Sequence, residues 1–233
     1  MYIYIYILSR VFVKCLRMPK TMLPVHQARS RESLKRLLKA AVEVLNKRGL
    51  EGATIPRIAA QAGLSPGTVY RRFPDKDALL REVCIRLLEE NYRQTKELIS
   101  GEQWKAMSLA EMSHRLIAIT LKGHSTYRGL LRALFFFTHQ HPDAAFVRKA
   151  DELEWKVFRD VAELLLTRRN EIRHPDPESA VKFALLMVGV AAQGILVLPH
   201  DPKEFANMVP NVEAELEREL PRMFLRYLGA KDD

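Results

Sequence analysis

The sequence predicts an all-α protein, with three short helices near its N-terminal end followed by a larger helical part. Three observations carry this reading. Apolar residues recur at three- and four-residue spacing along most of the chain, glycine and proline fall mainly between those stretches, and positive charge concentrates in one region. Residues 29–81 carry a net charge of +7 and residues 1–28 add +4, whereas residues 82–233 come to −2. With 233 residues, 48% of them hydrophobic, the chain can bury a substantial core.

The first thirteen residues, MYIYIYILSRVFV, stand apart, alternating Tyr and Ile as a strand would. Ser9, Arg10 and Lys14 interrupt them well before the roughly 20 apolar residues of a membrane-spanning helix. The basic start and small-residue cleavage site of a secretory signal are missing as well. Residues 1–28 are therefore read as an extension, disordered or non-native, with Met18 or Met22 as alternative starts. A membrane- or partner-binding tail is the competing reading. Cys15 and Cys84 lie far apart with no Cys/His spacing around them, which suggests neither a disulfide framework nor a zinc site and fits a reducing cytoplasm.

From Ser33 the positions Leu34, Leu37, Leu38, Ala41, Val44 and Leu45 describe one helix, stopped by Gly49. Thr54 is suited to cap a second helix of about two turns, with Ile55, Ile58, Ala59 and Ala62 facing inward and Gly63 at its end. Ser65 then caps a third, with Pro66 in its first turn, where a missing amide donor costs nothing. Two short helices joined at a glycine form a helix-turn-helix, whose second member lies in the DNA major groove. In SPGTVYRRF only Val69 and Phe73 need face inward, alongside Leu64 from the turn. Thr68, Tyr70, Arg71 and Arg72 are left for the outer face and its flanks, and Gly67 allows close backbone approach. These types suit readout: Arg bonds guanine bidentately, the Thr methyl meets thymine, and the Tyr hydroxyl suits phosphate. Asp75 caps a fourth helix, and Lys76 in its first turn opposes the helix dipole, which makes sense if it reaches a phosphate. Clustered Lys and Arg suit a polyanion, since phosphate contacts release counterions.

The run from Leu38 to Leu80, LKAAVEVLNKRGLEGATIPRIAAQAGLSPGTVYRRFPDKDALL, resembles the DNA-binding domain of the TetR family of bacterial transcriptional regulators. It carries, in order, the apolar first helix, Gly49 to Thr54 as the Gly-x-x-x-x-Thr entry, Ile-Ala of helix two, Ala-Gly-Leu-Ser, Gly-Thr-Val-Tyr, the closing Phe, Lys76 and Leu79-Leu80. About a fifth of the chain is covered. Ile55 and Pro56 stand where members often carry a further hydroxyl and a non-proline, and Arg72 where a histidine is common. The resemblance implies operator contacts at Ser65, Pro66, Gly67, Thr68, Tyr70, Arg71 and Lys76, with Thr54 and Arg57 as further candidates. It also leaves Arg29 and Arg31 as a flexible arm before helix one. The domains expected are an extension (1–28), a helix-turn-helix DNA-binding domain (29–80), and a helical effector-binding and dimerisation domain (81–230).

In that last part helices are expected near 76–99, 107–122, 127–139, 144–170, 177–197 and 203–228, with breaks at Gly101, Gly123, HQHPD, RHPDP and PHDP. The segment Ser179–Leu198 is apolar on nearly every side, which suggests burial against its own domain on one face and a second subunit on the other, with Gly189, Ala191 and Ala192 permitting close approach. A second stripe runs through Val212, Leu216, Leu220, Met223, Phe224 and Tyr227, with Pro221 expected to kink or split the helix. In TetR-like proteins the two C-terminal helices build a four-helix bundle across a two-fold axis, which implies a homodimer here. The resemblance further implies a small-molecule effector pocket, for which His114, His124, Tyr127, Phe135, Trp155, Phe158 and Gln193 are candidates. His139 and His141, before Pro142, read as a helix end and not as a metal pair. No metal, cofactor or membrane partner is expected. No G-x-S-x-G, P-loop, dinucleotide fingerprint or H-E-x-x-H occurs. A cytoplasmic repressor is thus the leading reading, and a helical small-molecule-binding protein or enzyme with an incidental basic face the alternative.

Overall fold

A computed structural model describes residues 25–140, 144–198, 207 and 209–232, and every regular element among them is helical. In chain order these are α1 (Val25–Gly52), α2 (Ile55–Gln61), α3 (Pro66–Tyr70), α4 (Lys76–Ile99), a 3₁₀ turn (Glu102–Ala106), α5 (Leu109–Thr126), α6 (Arg128–Gln140) and α7 (Ala144–Leu166). A 3₁₀ turn (Arg169–Glu171), α8 (Pro177–Ala192), a π-helical turn (Gln193–Val197) and α9 (Val212–Leu228) follow. The readings made for residues 1–24 and for His141 lie outside the described residues, as does the expected start of the last helix, near residue 203.

The chain forms two compact units. Among the described residues, one comprises 25–90 with 127–140 and 144–150, and the other comprises 91–126 with 151–198, 207 and 209–232. Contacts therefore group α6 with the N-terminal helices, so the packing division does not fall after Leu80.

In the first unit α1 supplies Leu37, Leu38, Ala41, Val44 and Leu45 to a core shared with Ile58 and Ala59 of α2, Val69 of α3 and Leu79 and Leu80 of α4, all buried. Gly49 ends the regular part of α1 with φ +67°, a left-handed conformation that glycine adopts without steric penalty. The helix begins earlier than the apolar pattern suggested, because no glycine or proline interrupts residues 25–48. Arg29 and Arg31 accordingly belong to α1 and do not form a flexible arm. α6 packs on α1 through Gly129, where an added Cβ would come within 2.0 Å of the Asn46 carbonyl oxygen. The Leu130 amide donates to Asn46 Oδ1 at 3.0 Å, tying the start of α6 to the same residue.

In the second unit α9 packs on α5 and α8. Leu216, Leu220, Phe224, Leu225 and Leu228 meet a core that includes Leu109, Met112, Leu116, Val181 and Leu185. Two expected breaks do not occur. α5 runs through Gly123 to Thr126, with Gly123 buried, so packing outweighs its low helix propensity. α9 passes through Pro221 as one helix: the proline is itself buried between Leu220 and Phe224, and that packing holds the turn despite the missing donor. The segment near 177–197 instead divides into α8 and the π-helical turn, and the one near 144–170 ends at Leu166 before the 3₁₀ turn. Gly189 and Ala192 are buried, so the close approach they allow is to their own unit.

Candidate functional site

α2 and α3 owe their placement to three local devices. Thr54 is extended (φ −89°, ψ 151°) and its Oγ1 accepts from the Arg57 amide at 3.4 Å, capping α2. Gly63 turns the chain with φ +66°. Ser65, also extended, accepts from the Thr68 amide at 3.3 Å and caps α3, with Pro66 at its first position. Val69 is fully buried below the helix, which leaves the opposite side outward.

That outward side presents Pro66, Gly67, Tyr70 and Arg71, with Tyr70 52% exposed. A Cβ at Gly67 would meet nothing within 4 Å, so the chain's own packing does not require glycine there, and the space is open to another molecule. Ser65 Oγ and Thr68 Oγ1 share a hydrogen bond of 2.9 Å, and Arg71 Nη2 donates to Thr68 Oγ1 at 3.2 Å. This chain of bonds holds the guanidinium along the helix face, preorganised for a planar acceptor. From Thr54 to Phe73 there is no Asp or Glu, so the face is cationic without internal neutralisation. A short, capped, positively charged helix end of this kind fits the major groove and its flanking phosphates.

Three cations nearby are partly committed within the protein. Arg72, expected on the outer face or its flanks, is tethered there: its Nη2 donates to the Ser30 carbonyl at 2.6 Å, fastening the end of α3 to α1. Lys76 Nζ donates to the Leu50 carbonyl at 2.6 Å, satisfying an acceptor left over where α1 ends. Arg57 Nη1 donates to the Gly52 carbonyl. The Lys76 and Arg57 bonds leave further N–H groups on each side chain. The Arg72 tether has no sequence signal, since Ser30 lies 42 residues away.

The effector candidates separate. His124 and Gln193 are buried in the second unit, at 0% and 7% exposure, and Phe158 is buried there as well. The His124 Nδ1–H donates to the Thr120 carbonyl at 2.8 Å, and burial holds its pKa below the usual 6.5. Tyr127, buried, and Phe135, half-buried and stacked on His139 at 4.2 Å, belong to the first unit. Burial raises the Tyr127 pKa. Two candidates lie at the surface of the described chain. His114 is exposed and pairs with Asp232 at 2.9 Å, because its position on α5 faces away from the buried Leu116 and Ile117. Trp155 is 44% exposed, edge-on to Phe158, because the buried stripe of α7 runs through Leu153, Val157 and Val161. Among the described residues no cluster of His, Cys, Asp and Glu could hold a metal.

The second unit also presents an uncovered apolar groove between α8 and α9. Phe183, Met187 and Val190 line one side and Met223 and Tyr227 the other, each between 42% and 64% exposed. Pro177–Val197 is the one stretch among the described residues long and apolar enough to cross a membrane, and more than half of it is buried in the protein itself.

Comparison with known proteins agrees with this geometry. Residues 37–83 match the model of the family described as bacterial regulatory proteins, tetR family. The uncharacterised HTH-type transcriptional regulator YvdT of Bacillus subtilis (strain 168) is 33% identical over 76 residues, covering 32% of this chain and 39% of that protein. The chain thus matches about two fifths of the length of this curated relative. Two solved structures share the fold. A structure named as a TetR-family transcriptional regulator of Mesorhizobium loti MAFF303099 has a TM-score of 0.63 at 22% identity, covering 86% of this chain and 97% of that one. The fatty acid degradation regulator FadR from Bacillus halodurans has a TM-score of 0.60 at 16% identity, covering 91% and 100%. The capped α2–α3 pair lies inside the residues that match the TetR family of helix-turn-helix regulators, and the helical fold continuing beyond them is shared with the two solved structures.

Proposed function

We propose that the protein is a homodimeric, sequence-specific transcriptional regulator of the cytoplasm, a repressor released from a palindromic operator by a small, largely apolar effector. The observation that carries this is the outward side of α3, where Gly67, Tyr70 and Arg71 stand clear of the core over a fully buried Val69. Residues 29–80 read DNA, and residues 81–230 bind the effector and pair the subunits. Arg71 and Thr68 contact base edges; Ser65, Pro66, Gly67 and Tyr70 approach the backbone; Thr54, Arg57 and Lys76 flank them at phosphates. One five-residue reading helix spans few base pairs, so a two-fold pair is needed to read half-sites about one helical turn apart. The groove of Phe183, Met187, Val190, Met223 and Tyr227 is the self-complementary surface for that pair.

An effector acts by binding one conformation of the dimer more tightly than the other, and it shifts DNA affinity by no more than that difference. The test is selection of a random DNA pool on the purified protein, with Arg71→Ala beside it. A palindromic site enriched by the wild type and lost by the variant is the expected result. No enrichment by a folded dimer overturns the reading.

A further inference from the structure

The interior of the second unit holds polar atoms that the protein itself leaves unmatched. His124 is fully buried, and its Nδ1–H is used by the Thr120 carbonyl. A carbonyl only accepts, so the proton sits on Nδ1 and Nε2 carries a bare lone pair. Among the described residues that Nε2 has no hydrogen-bond partner. Gln193, 7% exposed, has neither its amide nitrogen nor its oxygen matched. Leaving a buried polar group unpaired is costly because it forfeits its hydration without a replacement bond, and such groups in native proteins ask for an explanation.

The two residues lie on elements that pack together. His124 sits in the last turn of α5, and Gln193 opens the π-helical turn against which α5 packs. A π-helical turn is rare and recurs at functional sites, because the wider turn redirects a side chain that a regular helix would place elsewhere. Thr95, whose Oγ1 is likewise buried and unmatched, is a further residue of this kind in the same unit. Asn91, Ser113 and Thr120 of the same unit are buried as well and Asp160 Oδ2 is enclosed 3.6 Å from Lys96 Nζ, but among the described residues no Lys, Arg, Asp or Glu is buried as a whole. A charged ligand in such an interior would be desolvated without a counter-ion.

We infer that His124 Nε2 and the Gln193 carboxamide are the two polar anchors of one ligand site, and that its ligand is an uncharged, mostly apolar molecule bearing a hydroxyl or amide N–H donor. Nε2 accepts that donor, while Gln193 pairs with an adjacent oxygen or a second N–H. The depressed basicity of His124 agrees, since the neutral ring is the form that accepts. The inference rests on the reading of the chain as an effector-controlled regulator and specifies the chemistry of that effector.

The test is a thermal-shift and calorimetric screen of the full-length protein against fragment-sized alcohols, phenols and primary or secondary amides. Each is paired with its O-methyl or N,N-dimethyl counterpart and with a carboxylate of the same skeleton. Compounds with a free donor should bind, and their blocked and anionic counterparts should bind about tenfold more weakly, the worth of one hydrogen bond to a buried group. H124F and Q193L, checked for helix content and oligomeric state, should each erase that preference. H124Q, which offers an amide near the Nε2 position, should restore binding and accept both free and blocked compounds. Hits dominated by carboxylates, a panel without hits, or hits indifferent to all three substitutions overturn the inference. DNA selection on the same wild-type protein separates the two levels. An enriched site beside a failed ligand screen removes only this site, whereas donor-selective binding without any enriched site removes the regulator reading.

Discussion

Gly129→Ala is a substitution whose usual sign the structure reverses. Replacing a helical glycine with alanine ordinarily stabilises a protein by about 1 kcal/mol through helix propensity. Here the added Cβ would lie 2.0 Å from the Asn46 carbonyl oxygen, 2.9 Å from its carbon and 3.3 Å from its Cα. All three are backbone atoms of α1, so no rotamer change relieves the overlap. α6 must back away by roughly 1 Å to restore ordinary contact, and overpacking of this kind costs about 1–3 kcal/mol or more. The shift also stretches the bond from the Leu130 amide to Asn46 Oδ1, worth about 1 kcal/mol. The propensity gain is outweighed, and a net loss of about 1–3 kcal/mol is expected. For a chain of this size that lowers the melting temperature by about 2–4 °C for each kcal/mol. Thermal unfolding by circular dichroism at fixed protein concentration reads it directly. Asn46→Ala removes only the side-chain acceptor, so it should cost about 1 kcal/mol and fail to rescue Gly129→Ala. A Gly129→Ala protein as stable as wild type, or more so, would refute the close helix contact and the reasoning built on it.

Ser65→Ala removes the cap of α3 and should cost about 1 kcal/mol, with DNA affinity falling further than the melting temperature does, as measured by fluorescence anisotropy on a selected site. Met223→Glu sets a charge in the groove beside Tyr227, and sedimentation should then report a folded monomer with no operator binding; a stable dimer would move the subunit contact elsewhere. His124 makes stability depend on acidity. Its folded pKa lies below the 6.5 of the unfolded chain, so below pH 6.5 the unfolded state takes up a proton that the folded state refuses. Stability is complete above that pH and declines with acidification by up to about 1.4 kcal/mol per pH unit. His124→Phe should flatten the part of the denaturation series that His124 supplies, and curves running parallel between pH 7.5 and 5 would exclude it.

The reading head was legible because its determinants are local. Thr54, Gly63, Ser65 and Pro66 act within three or four residues of themselves, and the structure uses each as its chemistry suggests. Val69 is buried for the same reason: a five-residue helix has only one position that can face fully inward. What escaped prediction depends on residues distant in sequence. Nothing near Gly123 announces that packing carries α5 past it, and nothing near Pro221 announces that Leu220 and Phe224 keep α9 whole. Arg72 and Lys76 looked outward on their own helices, yet each finds a carbonyl on α1, 42 and 26 residues away. Among the effector candidates, composition did not distinguish His124, inside, from His114, outside, because both lie on α5 and differ only in the side of the helix they occupy.

The groove of exposed Phe, Met, Val and Tyr side chains has a consequence for how the regulator answers to its own abundance. On the pairing proposed above, an unpaired protomer would carry that surface in water, so its stability and its capacity to read a palindrome would both be tied to finding a second copy. Well below the concentration at which half the chains are paired, occupancy of such an operator would rise with the square of the protomer concentration. A modest change in synthesis or proteolysis would then move the target gene further than it would through a reader able to act alone.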